Sequence, residues 1–279
     1  MPDILRPGRE EALAEWSRRV QANREQAERV REGSPPADFY APVSSMFKAD
    51  PRRSDEPVLD ALRALVQPGE TWLDIGAGGG RYALPLALRA REVIAVEPSD
   101  GMLAVLREGM AEHGISNVRM VQSTWPREDA SVTADVALIS HIGYDIEEIG
   151  PFLDAMEASA RWLCVAVLVA GSPAAIAAPF WPPVHGEERD QLPGLSEFLL
   201  LQLARGRLSE VRLFERGAGT YAEREAPLGW LHQQLFIQEG GKKSRALAAA
   251  VSTQSSEREG RWALSWDPVP LGLVTWRPS

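Results

Sequence analysis

Apolar positions along this chain recur first at helical spacing and then in short strand-like runs. Leu13, Trp16, Val20, Ala27 and Val30 stand three, four or seven residues apart, which draws one face of a helix over residues 9–32. Gly33, Pro35 and Pro36 end that helix. Residues 38–53 show no period and read as a connecting loop or cap, with Phe39, Tyr40 and Phe47 as its apolar points. From residue 55 a strict alternation begins. Helices are predicted over 57–66, 81–90, 99–113 and 149–160, and apolar strands over 71–75, 92–96, 118–121, 135–140 and 162–169. Ser99 is placed to cap its helix and Gly114 to end it. Strands that are apolar almost throughout belong to a parallel sheet covered on both faces.

After Gly171 the rhythm breaks. Residues 174–194 are rich in proline and aromatics and predict no regular element. Helices are expected over 195–204, 227–237 and 243–251, and strands over 211–215, 262–266 and 271–276. The predicted fold class is α/β: a doubly wound, mostly parallel, seven-stranded sheet whose last strand is antiparallel. Residues 1–54 form a helical N-terminal extension or cap. Residues 55–279 form the sheet domain, with cap insertions near 172–206 and 217–262.

Composition narrows the function classes. With 44% apolar and 25% charged residues the chain is of ordinary globular type. A net charge of -9 repels phosphate backbones, and the arginines between Arg6 and Arg31 are interleaved with glutamates, so no nucleic-acid partner is expected. Cys164 is the only cysteine, which excludes an internal disulfide and a cysteine zinc site. His113, His141, His185 and His232 have no ligand spacing, so no metal is expected. The first ten residues hold no apolar signal core, and the apolar stretch 163–181 is broken by Gly171, Ser172, Pro173 and Pro179. The expectation is a cytoplasmic protein with no membrane partner.

The most informative stretch is Thr71-Trp-Leu-Asp-Ile-Gly-Ala-Gly-Gly-Gly80, followed by Val93-Ile-Ala-Val-Glu97-Pro-Ser99. A strand ends, Gly76, Gly78 and Gly80 let the backbone turn sharply beside a ligand, and a helix with free N–H groups follows. Glu97, seventeen residues past Gly80 at the end of the second strand, can accept hydrogen bonds from both hydroxyls of an adenosine ribose. Two features depart from a dinucleotide site. The sixth loop position, glycine in the NAD fingerprint, is Arg81. Asp74, two residues before the first glycine, would repel a pyrophosphate but suits the cationic amino group and sulfonium of S-adenosylmethionine. The bland alternative is a tight loop with Asp74 as a satisfied polar group, and the acidic pair at this spacing argues against it.

Residues 55–170 resemble the class I S-adenosylmethionine-dependent methyltransferases of small-molecule type, and so imply a Rossmann-like methyltransferase fold. Asp74-Ile-Gly-Ala-Gly-Gly-Gly80, with Ala77 inside it, is similar to that family's first motif, and Val96-Glu97-Pro-Ser99 to its second. The resemblance implies that Gly76 and Gly78 face the methionine and ribose, Glu97 the ribose, and Pro98 and Met102 the adenine. Thr124 and Trp125 follow the third strand, where the family places adenine-edge contacts, although the acidic residue common there is absent. Residues 134–141 resemble the fourth motif, whose end, here Ser140 and His141, usually faces the reacting methyl group.

Methyl transfer from a sulfonium needs mainly alignment of donor and acceptor, with a base where the acceptor loses a proton. Ser140-His-Ile-Gly-Tyr-Asp145 leaves the carboxyl end of the fourth strand, where open α/β sheets bind ligands. His141 is therefore the candidate base and Tyr144 a positioning group; a hydrogen-bonded structural histidine is the competing reading. Three classes of the family do not match. There is no Pro-Pro-aromatic run after the fourth strand, Cys164 follows a leucine inside an apolar strand rather than a proline, and His141 stands where arginine methyltransferases carry a glutamate. Tyr40, Trp181 and His185 are candidate substrate contacts, with Trp181 equally suited to packing its loop on the core. The expected activity is methyl transfer to a small-molecule oxygen, nitrogen or carbon acceptor. The alternatives are methylation of a protein or ribosomal RNA, and a non-catalytic S-adenosylmethionine binder.

Overall fold

The chain begins with the long helix α1 (Arg9–Val30), followed by a 3-10 turn over Ala41–Phe47 and helix α2 (Pro57–Leu65). The alternating part then runs β1 (Thr71–Ile75), α3 (Ala83–Ala87), β2 (Glu92–Val96), α4 (Asp100–His113), β3 (Val118–Val121), β4 (Ala134–Ser140), α5 (Ile149–Ser159) and β5 (Ala160–Val169). These come from a computed structural model that describes residues 8–34, 37–126, 132–265 and 267–278. Residues 1–7, Pro35, Pro36 and Trp266 of the sequence reading thus lie outside the described residues. The remaining elements are α6 (Trp181–His185), α7 (Leu195–Ala204), β6 (Glu210–Arg216), β7 (Thr220–Tyr221), α8 (Leu228–Gln234), α9 (Lys242–Gln254), β8 (Ser256–Arg258), β9 (Arg261–Ala263) and β10 (Val269–Trp276).

Seven strands form one sheet in the order β3-β2-β1-β4-β5-β10-β6. The first five are parallel, and β10 enters antiparallel between β5 and β6. All of β1 is buried, and so is nearly all of β4 and β5, as strands covered on both faces must be. The order reverses between β1 and β4, so the carboxyl ends of these two strands open on the crevice where such sheets hold ligands. The expected doubly wound α/β fold is borne out.

Helix α4 follows the sequence signals closely. Ser99 Oγ accepts from the Met102 N–H at 3.1 Å, and Gly114 closes the helix with φ 66°. Helix α3 is shorter than expected. Pro85 cannot donate to the Arg81 carbonyl, which accepts instead from the Arg53 guanidinium at 3.0 Å.

The later region departs further from expectation. Helix α7 covers the main sheet, with Leu195, Phe198 and Leu201 in its core, rather than forming a cap. The segments 177–184 and 231–251 build a second apolar cluster of their own, next to a small sheet of order β7-β9-β8. Helix α6 forms where no element was predicted, because Pro182 and Pro183 occupy its first turn and Gly186 ends it at φ 79°. The N-terminal helix is bound to the main body: Trp16 and Val20 join the main core, and Trp16 Nε1 donates to the Ile146 carbonyl at 2.9 Å. Among the described residues no helix is long and apolar enough to cross a membrane.

Candidate functional site

Strand β1 ends at Ile75, and the N–H groups of Gly76 and Ala77 both donate to the Val96 carbonyl, at 2.8 and 3.1 Å. The loop is thereby tied to the end of β2. At Gly80, with φ 85°, a Cβ would lie 2.5 Å from Leu106, so packing and backbone both demand glycine. Gly78, with φ 54°, is different: a Cβ there would meet only the Met102 sulfur, 4.0 Å away. It leaves an open cradle between the loop and α4.

Glu97 lies at that cradle. One carboxylate oxygen accepts from the Gly78 N–H and the other from the Ser99 N–H, both at 2.9 Å. The two motifs are thus joined through one buried side chain that keeps further acceptor capacity. Burial raises the Glu97 carboxyl from its ordinary value, the two N–H donors oppose that shift, and the nearby Asp38 charge adds to it.

Asp74 is fully buried on β1, and its Oδ1 has no hydrogen-bond partner. Burial first, then the neighbouring Glu97 charge, raise its carboxyl from 3.8 to about 8, against a hydrogen bond from the Ala83 N–H. Asp74 pairs with Leu138 across the sheet, and Ser140 follows two residues later on the same side of β4. The Ser140 hydroxyl is also buried without a partner. A native interior rarely leaves such groups unmatched. Two of them at the ends of adjacent strands, beside an open glycine, suit a cationic, hydrogen-bonding ligand.

His141 has φ 56° and fixes its turn by donating its backbone N–H to the Val167 carbonyl at 2.9 Å. Its Nε2 lies 3.4 Å from the Tyr82 hydroxyl. Tyr82 in turn donates to Glu56 at 2.6 Å, and Glu56 also accepts from Arg53 at 2.7 Å and Arg81 at 2.8 Å. With the Tyr82 proton directed at Glu56, this network assigns the imidazole proton to Nε2 and leaves Nδ1, buried without a partner, as an acceptor. Burial, followed by the charges of Arg216 and Arg81, lowers the imidazole from 6.5 to about 3, so the ring is neutral and only weakly basic.

Residues 38–47 pack against the glycine loop and α4 through an anchor that the sequence reading missed. Asp38 Oδ2 accepts from Ser99 Oγ at 2.8 Å and the Gly101 N–H at 3.1 Å, while its Oδ1 accepts from the N–H groups of Tyr40 and Ala41. Asp38 just before an aromatic pair is the local signal, but its partner Ser99 stands 61 residues away. Phe47 closes against Gly79, and Tyr40 stacks edge-on with Phe39 and Phe47. Burial and the charges of Asp145 and Glu97 push the Tyr40 phenol up to about 12.

Other expected site residues lie elsewhere. The phenol of Tyr144 is turned into the core, where its oxygen accepts from the Val169 N–H at 2.9 Å; it braces the loop to β5 rather than facing an acceptor. Trp181 is fully buried in the second apolar cluster, under the Arg189 guanidinium at 4.6 Å. His185 stacks 4.4 Å from Trp181, with Nε2 3.0 Å from the Leu235 carbonyl. The second cluster leaves Trp181 no face for a substrate, while His185 is half-buried and held between Trp181 and the Leu235 carbonyl. Met102 is buried beside the cradle and Pro98 is exposed. Thr124 is also exposed, and Trp125 donates its indole N–H to the Phe152 carbonyl at 3.3 Å. Cys164 is buried, and no group of three potential metal ligands exists among the described residues.

Comparison with known proteins bears on the middle of the chain and on its fold. Residues 73–161 match the family model described as a methyltransferase domain. Over 90 residues the chain is 37% identical to the 23S rRNA (uracil(1939)-C(5))-methyltransferase RlmD of Alkalilimnicola ehrlichii. That match covers 32% of this chain and 19% of the relative, so only about a fifth of the relative's length is shared. Among solved structures, the YcgJ protein of Bacillus subtilis superposes with a TM-score of 0.54 at 14% identity, over 78% of this chain and 97% of that one. Coclaurine N-methyltransferase bound to N-methylheliamine and SAH superposes with a TM-score of 0.51 at 12% identity, over 96% of this chain and 93% of that one. At these identities the likeness is one of fold.

Proposed function

From residues 73–161, which belong to the methyltransferase-domain family, we propose that this chain is an S-adenosylmethionine-dependent methyltransferase acting on a small-molecule oxygen, nitrogen or carbon acceptor. The observation that carries the reading is the unmatched Asp74 Oδ1 beside the open cradle at Gly78 and the bridging carboxylate of Glu97. Bound S-adenosylmethionine would supply an electrophilic methyl group on a positively charged sulfur. Asp74 and Ser140 would meet the cofactor's amino end, Glu97 its ribose, and Met102 and Pro98 its adenine. Tyr40 and the turn that follows it would exclude water from one side. His141 Nδ1 would hold the acceptor as a hydrogen-bond acceptor, a role that its low basicity allows better than full proton removal.

One observation separates this reading from uracil-C5 methylation. Carbon 5 of uracil becomes nucleophilic only after a nucleophile adds at carbon 6. The one cysteine of this chain lies inside β5, where burial pushes its thiol up to about 12. It cannot serve as that nucleophile.

The test is calorimetric titration with S-adenosylhomocysteine, using NAD as a control. Micromolar binding of S-adenosylhomocysteine alone is expected, weakened in Glu97→Ala by about 2–3 kcal/mol. Absence of binding would overturn the function, and unchanged affinity in the variant would overturn the site.

A further inference from the structure

The outer strand β6 is an open edge. It is seven residues long, pairs with β10 in unbroken register, and contains neither proline nor lysine. Every residue but Phe214 is exposed. A strand open on one side presents a row of unpaired N–H and C=O groups, and folded proteins usually blunt such rows with lysine, proline, a bulge or a cover. Beside four charged residues the strand carries exposed apolar side chains: Leu213 at 69% and Val211 at 39%, with Leu208, at 90%, leading into it. By register Leu213 shares a side of the sheet with Gly272, the side on which Leu195 of α7 packs.

The order of charges along β6 identifies the partner. Two copies of one antiparallel strand related by a two-fold axis must place like positions of the ladder opposite each other, so the axis passes through a residue. Centred on Arg212, the pairing sets Glu210 against Phe214 and leaves its charge unanswered. Centred on Phe214, it sets Arg212 against Arg216, two like charges. Centred on Leu213, the one axis that pairs all seven residues, it sets Glu210 against Arg216 twice, Arg212 against Phe214 twice, Val211 against Glu215 twice, and Leu213 against itself. Opposite charges and a cation over an aromatic ring stabilise directly opposed pairs, and like charges oppose them. The Arg212 guanidinium already lies 5.6 Å from its own Phe214 ring. Among the described residues, the side chains of Glu210 and Arg216 make no ion pair within the chain.

We infer that β6 pairs antiparallel with β6 of a second copy of this chain about an axis through Leu213, joining two seven-stranded sheets into one. The two Leu213 side chains then cover each other, and the open ladder is closed.

Sedimentation velocity on the full chain tests this. The wild type should be dimeric at micromolar concentration. Arg216→Glu and Glu210→Arg should each weaken dimerisation roughly ten-fold or more, since each sets like charges opposite each other at two symmetric places. The doubly exchanged variant should recover dimerisation, because opposite charges face each other again. All of these positions are exposed, and far-UV circular dichroism verifies that each variant folds. A wild type that stays monomeric up to about 100 µM would overturn the inference. So would single variants that dimerise as the wild type does, or a double exchange that remains as weak as the singles.

Discussion

Two carboxylic acids are buried at opposite ends of the same sheet, and their surroundings treat them in opposite ways. At the amino end Glu157, on the last turn of α5, accepts from Arg205 at 2.9 Å, from both nitrogens of the Arg207 fork, and from the Trp276 indole at 3.1 Å. Burial alone would raise its carboxyl, but the Arg207 hydrogen bonds and the two guanidinium charges overcome that and hold it below the ordinary range. At the carboxyl end Asp74 is as deeply buried, has one oxygen unmatched, and is pushed to about 8. The protein supplies cations to Glu157, and among the described residues none pairs with Asp74. Burial of charge is therefore not what marks a site in this fold; an unanswered demand for a cation is.

The largest expected effect breaks the answered end. Arg205→Ala leaves Glu157 buried with one of its cations removed, and should lower stability by about 3–5 kcal/mol in urea denaturation. Affinity for S-adenosylhomocysteine in whatever fraction remains folded should be unchanged. A loss below about 1 kcal/mol would mean that Arg207 alone suffices and that the two ends differ less than their geometry indicates.

The next effect sharpens the unanswered end, through pH. In the folded chain the Asp74 carboxyl is pushed up to about 8, well above its ordinary value of 3.8. A carboxyl raised in this way favours folding most fully below pH 4, and that contribution is lost as pH rises towards 8. Asp74→Asn cannot titrate, so the variant should gain on the wild type by a few kcal/mol between about pH 4 and 8. His141 works in the other direction: lowered to about 3, it costs stability as pH falls below 6.5. It is common to both proteins, so the difference between their denaturation curves isolates Asp74. A flat difference over that range would show that Asp74 finds a partner in the folded chain.

The unanswered end was the legible one. Asp74, the glycines and Glu97 fall within one strand-loop-helix-strand unit, where spacing along the chain is close to spacing in space. The sheet was legible for the same reason, since each buried strand announces itself by an apolar run. What escaped was assembled by topology. Asp38 reaches Ser99 across 61 residues, and the Glu56–Tyr82–His141 chain joins three segments 26 and 59 residues apart. Trp181 carried two signals, a substrate contact and a packing residue, and the second holds. What the sequence could not show is the partner: Leu231, Leu235 and Leu247 arrive fifty to sixty-six residues later to bury the indole.

The smallest effect concerns Tyr144, where the sequence placed a positioning group and the fold placed a brace. Its oxygen accepts from the Val169 N–H at 2.9 Å, at the end of β5, and the ring lies in the main core. Tyr144→Phe keeps the ring and its packing but leaves that buried N–H without an acceptor, a cost of about 1–2 kcal/mol. Denaturation should register this loss, and S-adenosylhomocysteine titration should register none. Because the hydroxyl lies beyond the loop that carries His141, a brace fixes the floor of the crevice without touching what enters it. A variant of unaltered stability that nonetheless lost affinity would place the phenol in the site after all. Tyr144 would then stand with Asp74 among the groups left open for a ligand, instead of with Glu157 among those the fold has already matched.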